Sequence, residues 1–187
     1  MEITKDSPWK VLSTEYICRE PWLTARRDRI ELPDGRIIPE YYVLEYPTWI
    51  NVIAITTDGQ MVMVRQHRHG LGVTSTELCA GVMDPTDATP MDAARRELME
   101  ETGFGGGQWT EHMVISANPG THNNLTYSFL ATGVEKIGTQ HLDDTEDLTA
   151  LLLSQDEVLD MLRRGEVLQS LMAAPLWKYF YELKVKS

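Results

Sequence analysis

Apolar and polar positions along this chain fall into short blocks whose period changes several times. From Trp9 to about Tyr46 aromatic and β-branched residues are frequent, and Pro33-Asp34-Gly35 interrupts them with turn chemistry. The pattern predicts strands around a hairpin. Trp49 to Thr56 (WINVIAIT) is a continuous apolar run of strand length, followed by Thr57-Asp58-Gly59-Gln60 and then MVMVRQ. Two such runs about an Asp-Gly turn predict a second hairpin. Thr89 to Thr102 reads as a helix with both ends marked. Thr89 suits the N-cap, and Pro90 the first helical position, where its missing N–H costs nothing. Asp92 follows three residues later, close to a capping box, and Gly103 suits the left-handed residue past the C-terminus. Strand-like runs recur at about Trp109–Ser116, Leu125–Thr132 and Leu148–Leu153. Ser154-Gln155-Asp156-Glu157 has capping-box spacing and opens a helix to about Arg164, ended by Gly165. A last helical pattern covers roughly Leu168 to Leu183, with a kink or break expected at Pro175.

These elements sum to a mixed sheet with a few helices, of the α/β or α+β class. No repeat or low-complexity segment is visible, and Gly105-Gly106-Gly107 is a short flexible joint. A length of 187 residues predicts one globular domain with room for a small appendage. No apolar run approaches the ~18–20 residues of a membrane span, and Met1 to Lys10 lacks the apolar core of a signal peptide. Cys18 and Cys79 are too few for a disulfide scaffold, so the expected location is the cytoplasm. Lys and Arg number 17 against 28 Asp and Glu, a net charge of −11. That balance disfavours binding to nucleic acid, whose backbone it repels. It allows a small phosphorylated ligand held through divalent cations, which carboxylates bind.

Chemistry concentrates in GVMDPTDATPMDAARRELMEETGF, Gly81 to Phe104. Glu97, Glu100 and Glu101 stand at i, i+3 and i+4, so three carboxylates share one helical face. Like charges at this spacing repel by a few tenths of a kcal/mol per pair in water, and more when partly buried. Arg96 can pair with Glu100 at i+4, whereas the positions four away from Glu97 and Glu101 hold Ala93, Gly105 and each other. A solvated acidic face is the ordinary reading of such a cluster. Divalent cations are the alternative that resolves the repulsion.

The segment resembles the Nudix box: Gly, five residues, Glu, seven residues, then Arg-Glu-apolar-x-Glu-Glu-x-Gly-apolar. Arg96-Glu97-Leu98-Met99-Glu100-Glu101-Thr102-Gly103-Phe104 matches its second half at every defined position. The first half departs, because Asp87 stands where the Glu is expected and eight residues separate it from Arg96. The resemblance extends to Val64-Arg65-Gln66-His67-Arg68 and Glu77-Leu78-Cys79-Ala80-Gly81, which look like the "RQxR … ELPAG" run of the ADP-ribose pyrophosphatase-like branch. Asn118-Pro119-Gly120 and the acidic run Leu142 to Asp147 fit the same branch. The similarity covers about Trp22 to Arg164 and implies a Nudix α/β/α sandwich at 47–187, with a small N-terminal antiparallel β region at 1–46.

By that resemblance Glu97 and Glu101 are the main metal ligands, with the carbonyl of Ala80 as another. Glu100 is a further ligand or orients Arg96. The implied cofactor is Mg²⁺, with Mn²⁺ as a substitute, and the reaction is hydrolysis of a diphosphate bond in a nucleoside diphosphate linked to another group. Asp144 and Glu146 are candidates for the general base. Arg68 is a candidate phosphate contact. Arg65 either touches substrate or pairs with Glu77. Pro119 lines the substrate, and Trp22 stacks on a base or packs in an interface. The expected substrate is ADP-ribose or a related nucleoside diphosphate sugar. Dinucleoside polyphosphates, NADH, a nucleoside triphosphate, or a non-catalytic nucleotide-sugar sensor are the competing readings. A homodimer through the aromatic-rich N-terminal strands is expected, with no nucleic-acid or membrane partner.

Overall fold

Residues 9–142 and 147–186 are described by the structure, a computed structural model; Asp144 and Glu146 lie outside them. Two compact units arise from the chain, one from residues 9–47 with 116–125 and the other from 48–115 with the remainder after 125.

The first unit is built on three antiparallel strands in the order β1 (Lys10–Glu20), β2 (Leu23–Glu31) and β3 (Ile37–Glu45). The expected turn at Pro33-Asp34-Gly35 joins β2 to β3, with the Gly35 amide bonded to the Leu32 carbonyl at 2.9 Å. Register is reinforced by charge across the strands: Arg27 lies between Glu15 on β1 and Glu40 on β3, 2.7 Å from each. The segment Ser116–Leu125 is tied to β3, where the Leu44 amide donates to the Thr121 carbonyl at 2.8 Å and the Tyr41 hydroxyl to the Gly120 carbonyl at 2.6 Å. Trp9, Ile17, Trp22 and Leu23 are exposed on this unit, and Trp22 is 74% exposed in the turn between β1 and β2.

The second unit is a mixed sheet between helices. Its strands are β4 (Trp49–Thr56), β5 (Met61–Arg68), β6 (Val73–Glu77), β7 (Cys79–Val82), β8 (Phe104–Gly105), β9 (Gln108–Ile115), β10 (Thr126–Lys136) and β11 (Leu148–Leu153). The spine runs β11-β5-β4-β10-β8, with β6 on β5, β7 on β4 and β9 on β10. The β10–β4 pair is parallel, and the others are antiparallel. Gly59, at φ 86°, closes the β4–β5 hairpin where Asp-Gly marks it.

Because successive side chains of a strand point to opposite faces, the continuous apolar runs of β4 and β5 feed two cores. Ile50, Val52, Ala54, Val62 and Val64 pack with Ala93, Ala94 and Leu98 of α1 (Pro90–Thr102). Ile53, Ile55, Met61 and Met63 pack with Val158 and Leu162 of α2 (Gln155–Arg163) and with Met172 and Leu176 of α3 (Ser170–Lys186). Helices cover both sheet faces, giving the expected α/β/α layering.

Of the kink or break expected at Pro175, the break is absent: α3 runs through the proline. Proline removes the N–H that would serve the carbonyl of Leu171. The fully buried Asn51 of β4 supplies a substitute, its Nδ2 donating to that carbonyl at 2.9 Å. The Pro175 carbonyl in turn lies 3.1 Å from Nε2 of His112, the extra residue of a bulge in β9.

Candidate active site

The site is assembled where α1 lies along one edge of β7. Thr89 caps the helix as expected, its hydroxyl oxygen accepting the Asp92 amide at 3.2 Å. Gly103, at φ 69°, ends it with its amide on the Met99 carbonyl at 2.7 Å. The box residues Arg96 to Thr102 all lie on this helix.

Strand β7 pairs with β4 through Cys79, Gly81 and Met83, and Met83 donates to the Thr48 carbonyl at 2.8 Å. Ala80 is then a non-hydrogen-bonded partner of Asn51, and its amide and carbonyl both leave by the opposite edge. Side chains of α1 meet that edge. The Ala80 amide donates to Glu101 Oε2 at 3.1 Å, and Arg96 Nη2 donates to the Val82 carbonyl at 3.1 Å. Between them the Glu97 carboxyl lies against Gly81, occupying the space a β-carbon there would need. Glu97 and Glu101 are 8% and 4% exposed, which excludes the solvated acidic face for these two groups.

Arg96 organises the remaining charges. It reaches Glu100 Oε2 at 2.9 Å, as helical spacing suggests, and also Glu97 Oε1 at 3.0 Å. Its strongest partner is Asp87, gripped through Nε at 3.2 Å and Nη2 at 2.8 Å. These bonds to Asp87 raise the guanidinium pKa above its ordinary value against the opposing effect of burial, and Glu100 and Glu97 add to the rise. They also hold the Asp87 carboxyl below the usual carboxylate range. Asp87 receives the Asp84 amide at 2.8 Å as well. Sequence spacing gave no role to Asp87. Its partner is met in space, nine residues away across a turn.

The other candidates divide by strand parity. On β5 and β6, Arg68, Ser75 and Glu77 share a face, and Arg68 grips Glu77 through Nε at 3.0 Å. Ser75 donates to the same carboxylate. Arg65 is registered with Thr76 and takes the opposite face, where it borders a hollow with Glu157 and Asp160 of α2. The pairing with Glu77 therefore belongs to Arg68, and Arg65 is not brought to α1. Arg68 and Glu77 line a cavity of 600 Å³ with Gln169 and Ser170. Trp22 and Pro119 belong to the N-terminal unit.

Carboxylate oxygens and a strand carbonyl form the all-oxygen set that a hard divalent cation takes. Two mostly buried carboxylates four residues apart on one helix fit such an ion. Among the described residues no wider cluster of His, Cys, Asp and Glu has metal-binding geometry.

Comparison with known proteins gives the family. Residues 47–171 match the NUDIX domain, and residues 9–44 match the nucleoside diphosphate sugar hydrolase N-terminal domain. An ADP-ribose pyrophosphatase of Mycobacterium tuberculosis is 29% identical over 167 residues, covering 89% of this chain and 80% of its own. A methanol dehydrogenase activator of Bacillus methanolicus is 29% identical, covering 86% of each chain. A GDP-mannose pyrophosphatase of Enterobacter is 30% identical over 57% of this chain and 59% of its own. The crystal structure of an ADP compounds hydrolase superposes with a TM-score of 0.81 over 96% of both chains at 21% identity, which speaks to the fold. With the box, the two-faced sheet and the carboxylate helix in place, the chain belongs to the Nudix family and is a Nudix hydrolase.

Proposed function

We propose that the chain is a Mg²⁺-dependent pyrophosphatase that cleaves ADP-ribose, or a closely related nucleoside diphosphate sugar, to a nucleoside monophosphate and a sugar phosphate. The observation that carries this reading is the placement of the Glu97 and Glu101 carboxyls along the β7 edge at Ala80 and Gly81. The named activities of the similar proteins supply the substrate class.

In this reading Glu97, Glu101 and the Ala80 carbonyl hold the cation, and Mn²⁺ substitutes for Mg²⁺. The bound cation supplies charge neutralisation for the diphosphate and its leaving group. Glu100 and Asp87 orient Arg96, and Arg96 in turn fixes Glu97 in place. Arg68 contacts a phosphate from the rim of its cavity, with Glu77 aiming the guanidinium. Asp144 or Glu146 accepts the proton of the attacking water. Trp22 and Pro119 contact the nucleotide.

We also propose a homodimer formed through the N-terminal unit. Its exposed Trp9, Ile17, Trp22 and Leu23 support this, because association would cover large apolar side chains that one small unit leaves in solvent. Sedimentation at micromolar concentration tests it, and a monomer there would refute it.

The substrate proposal is tested by a hydrolysis screen of ADP-ribose, GDP-mannose, UDP-glucose, NADH and diadenosine polyphosphates with Mg²⁺. Preferential cleavage of ADP-ribose supports it. Preference for a dinucleoside polyphosphate or NADH would replace the substrate while keeping the chemistry. Tight binding of ADP-ribose without turnover would make the chain a sensor.

A further inference from the structure

Helix α1 carries Glu100 and Glu101 in its last turn, where the carbonyl end of a helix concentrates partial negative charge. That turn has no basic residue of its own. The last four carbonyls of a helix also lack partners within it. Here those are Met99, Glu100, Glu101 and Thr102, and each has a donor. The Gly103 amide serves Met99 at 2.7 Å, and the His141 amide serves Glu100 at 2.8 Å. Gln140 Nε2 serves Glu101 at 2.7 Å, and Lys136 Nζ serves Thr102 at 2.6 Å. Three of the four donors thus come from residues 136–141, the last residue of β10 and the segment that follows it.

Gln140 differs from the other donors. Its Nε2 also lies 3.3 Å from the carbonyl of Leu148, the first residue of β11. One primary amide therefore ties the last turn of the glutamate helix to a strand of the central sheet. The main-chain carbonyl of Glu101 is thus held by Gln140, and its carboxylate accepts from the Ala80 amide.

We propose that Gln140 is a positioning residue for Glu101, which sets cation affinity by fixing the last turn of α1 against the sheet. This rests on the reading that Glu101 holds the divalent cation. Without the Gln140 donors Glu101 keeps its carboxylate bond to the Ala80 amide, but its main-chain carbonyl loses its donor and the tie to β11 is gone. A ligand whose backbone is held less firmly binds metal less tightly, as happens elsewhere when outer-shell support is lost.

The test is direct titration of the full chain with Mn²⁺, following the free ion by electron paramagnetic resonance, without substrate. Gln140→Met keeps length and packing but removes both donors. The expected result is Mn²⁺ binding about tenfold weaker than in the parent, at a temperature where thermal melts show both proteins folded. The double variant with Glu101→Gln distinguishes positioning from a general effect. If Gln140 acts through Glu101, its substitution costs little more once Glu101 is altered. Unchanged Mn²⁺ affinity in Gln140→Met overturns the proposal, as does a full additional tenfold loss in the double variant. If Glu101→Gln alone binds Mn²⁺ as tightly as the parent, the metal reading itself fails and this proposal falls with it.

Discussion

The main-chain amide of Ala80 donates to the carboxylate of Glu101 at 3.1 Å, joining the outer edge of β7 to the last turn of α1. One residue along β7, the absent side chain of Gly81 leaves the space that the Glu97 carboxyl fills. A methyl group there must displace the Glu97 carboxyl. We expect Gly81→Ala to fold with a loss of about 1–3 kcal/mol, the usual range for overpacking. Turnover should fall far more than stability. Chemical denaturation and activity measured on the same preparation check this. Full activity with unchanged stability would show that Glu97 does not need its place over Gly81.

Asp87 anchors Arg96, and Arg96 in turn touches Glu97 and Glu100. The Asp87 side chain is nearly buried while Arg96 keeps contact with solvent. Removing the carboxylate should therefore cost less than a fully buried pair would, about 1–3 kcal/mol. Asp87→Ala is expected to lower the urea midpoint accordingly and to weaken metal-dependent turnover. Asp87→Glu changes the reach but keeps the charge, and should lose less on both measures. Equal stability of Asp87→Ala and the parent would remove Asp87 from this network.

Asn51 substitutes for the N–H that Pro175 lacks. Asn51→Ala should destabilise the protein by about 1–3 kcal/mol, since it leaves a buried carbonyl without its donor. In a Pro175→Ala background the helix regains an N–H for Leu171, so the same substitution should cost less. Denaturation of the four members of this double-mutant cycle measures the difference. Strict additivity would show that Asn51 and Pro175 are not coupled.

His112 gives a pH dependence with a definite sign. Burial lowers its pKa below the ordinary histidine value, with the Lys178 charge adding to the effect, while its bond to the Pro175 carbonyl and the Glu182 charge oppose it. The unfolded chain then binds the proton more readily than the folded one. Below about pH 6.5 stability should fall as pH falls, and it is fully present above that value. His112→Gln keeps a donor but does not titrate. Its melting temperature should decline less than the parent's between pH 7.5 and 5.5. Parallel declines would assign the effect to other groups.

Much of the fold is legible in the chain because its signals are local. Thr89, Pro90 and Gly103 mark α1 by chemistry that acts within a few residues, and Asp58-Gly59 marks the β4–β5 hairpin in the same way. The two-sided burial of β4 and β5 follows from their unbroken apolar runs. Pro175 misleads because its remedy, Asn51, reaches the Leu171 carbonyl from 120 residues away on another element. Parity decides between Arg65 and Arg68, and parity depends on a β5–β6 register that no single strand reveals. Asp87 is hidden for a similar reason, since counting positions along a box does not show where an arginine reaches. In the site itself, the crowding of Glu97 and Glu101 on one helical face is readable from spacing, but their burial against β7 is not.

The most direct measurement is release of AMP and ribose 5-phosphate from ADP-ribose in Mg²⁺, with Glu101→Gln beside the parent. The expected result is turnover by the parent that stops when the cation is chelated, and a loss of about a hundredfold or more in the variant. Turnover by Glu101→Gln at the parent's rate, or cleavage by the parent that persists under chelation, would contradict the assignment of this helix as the catalytic metal site.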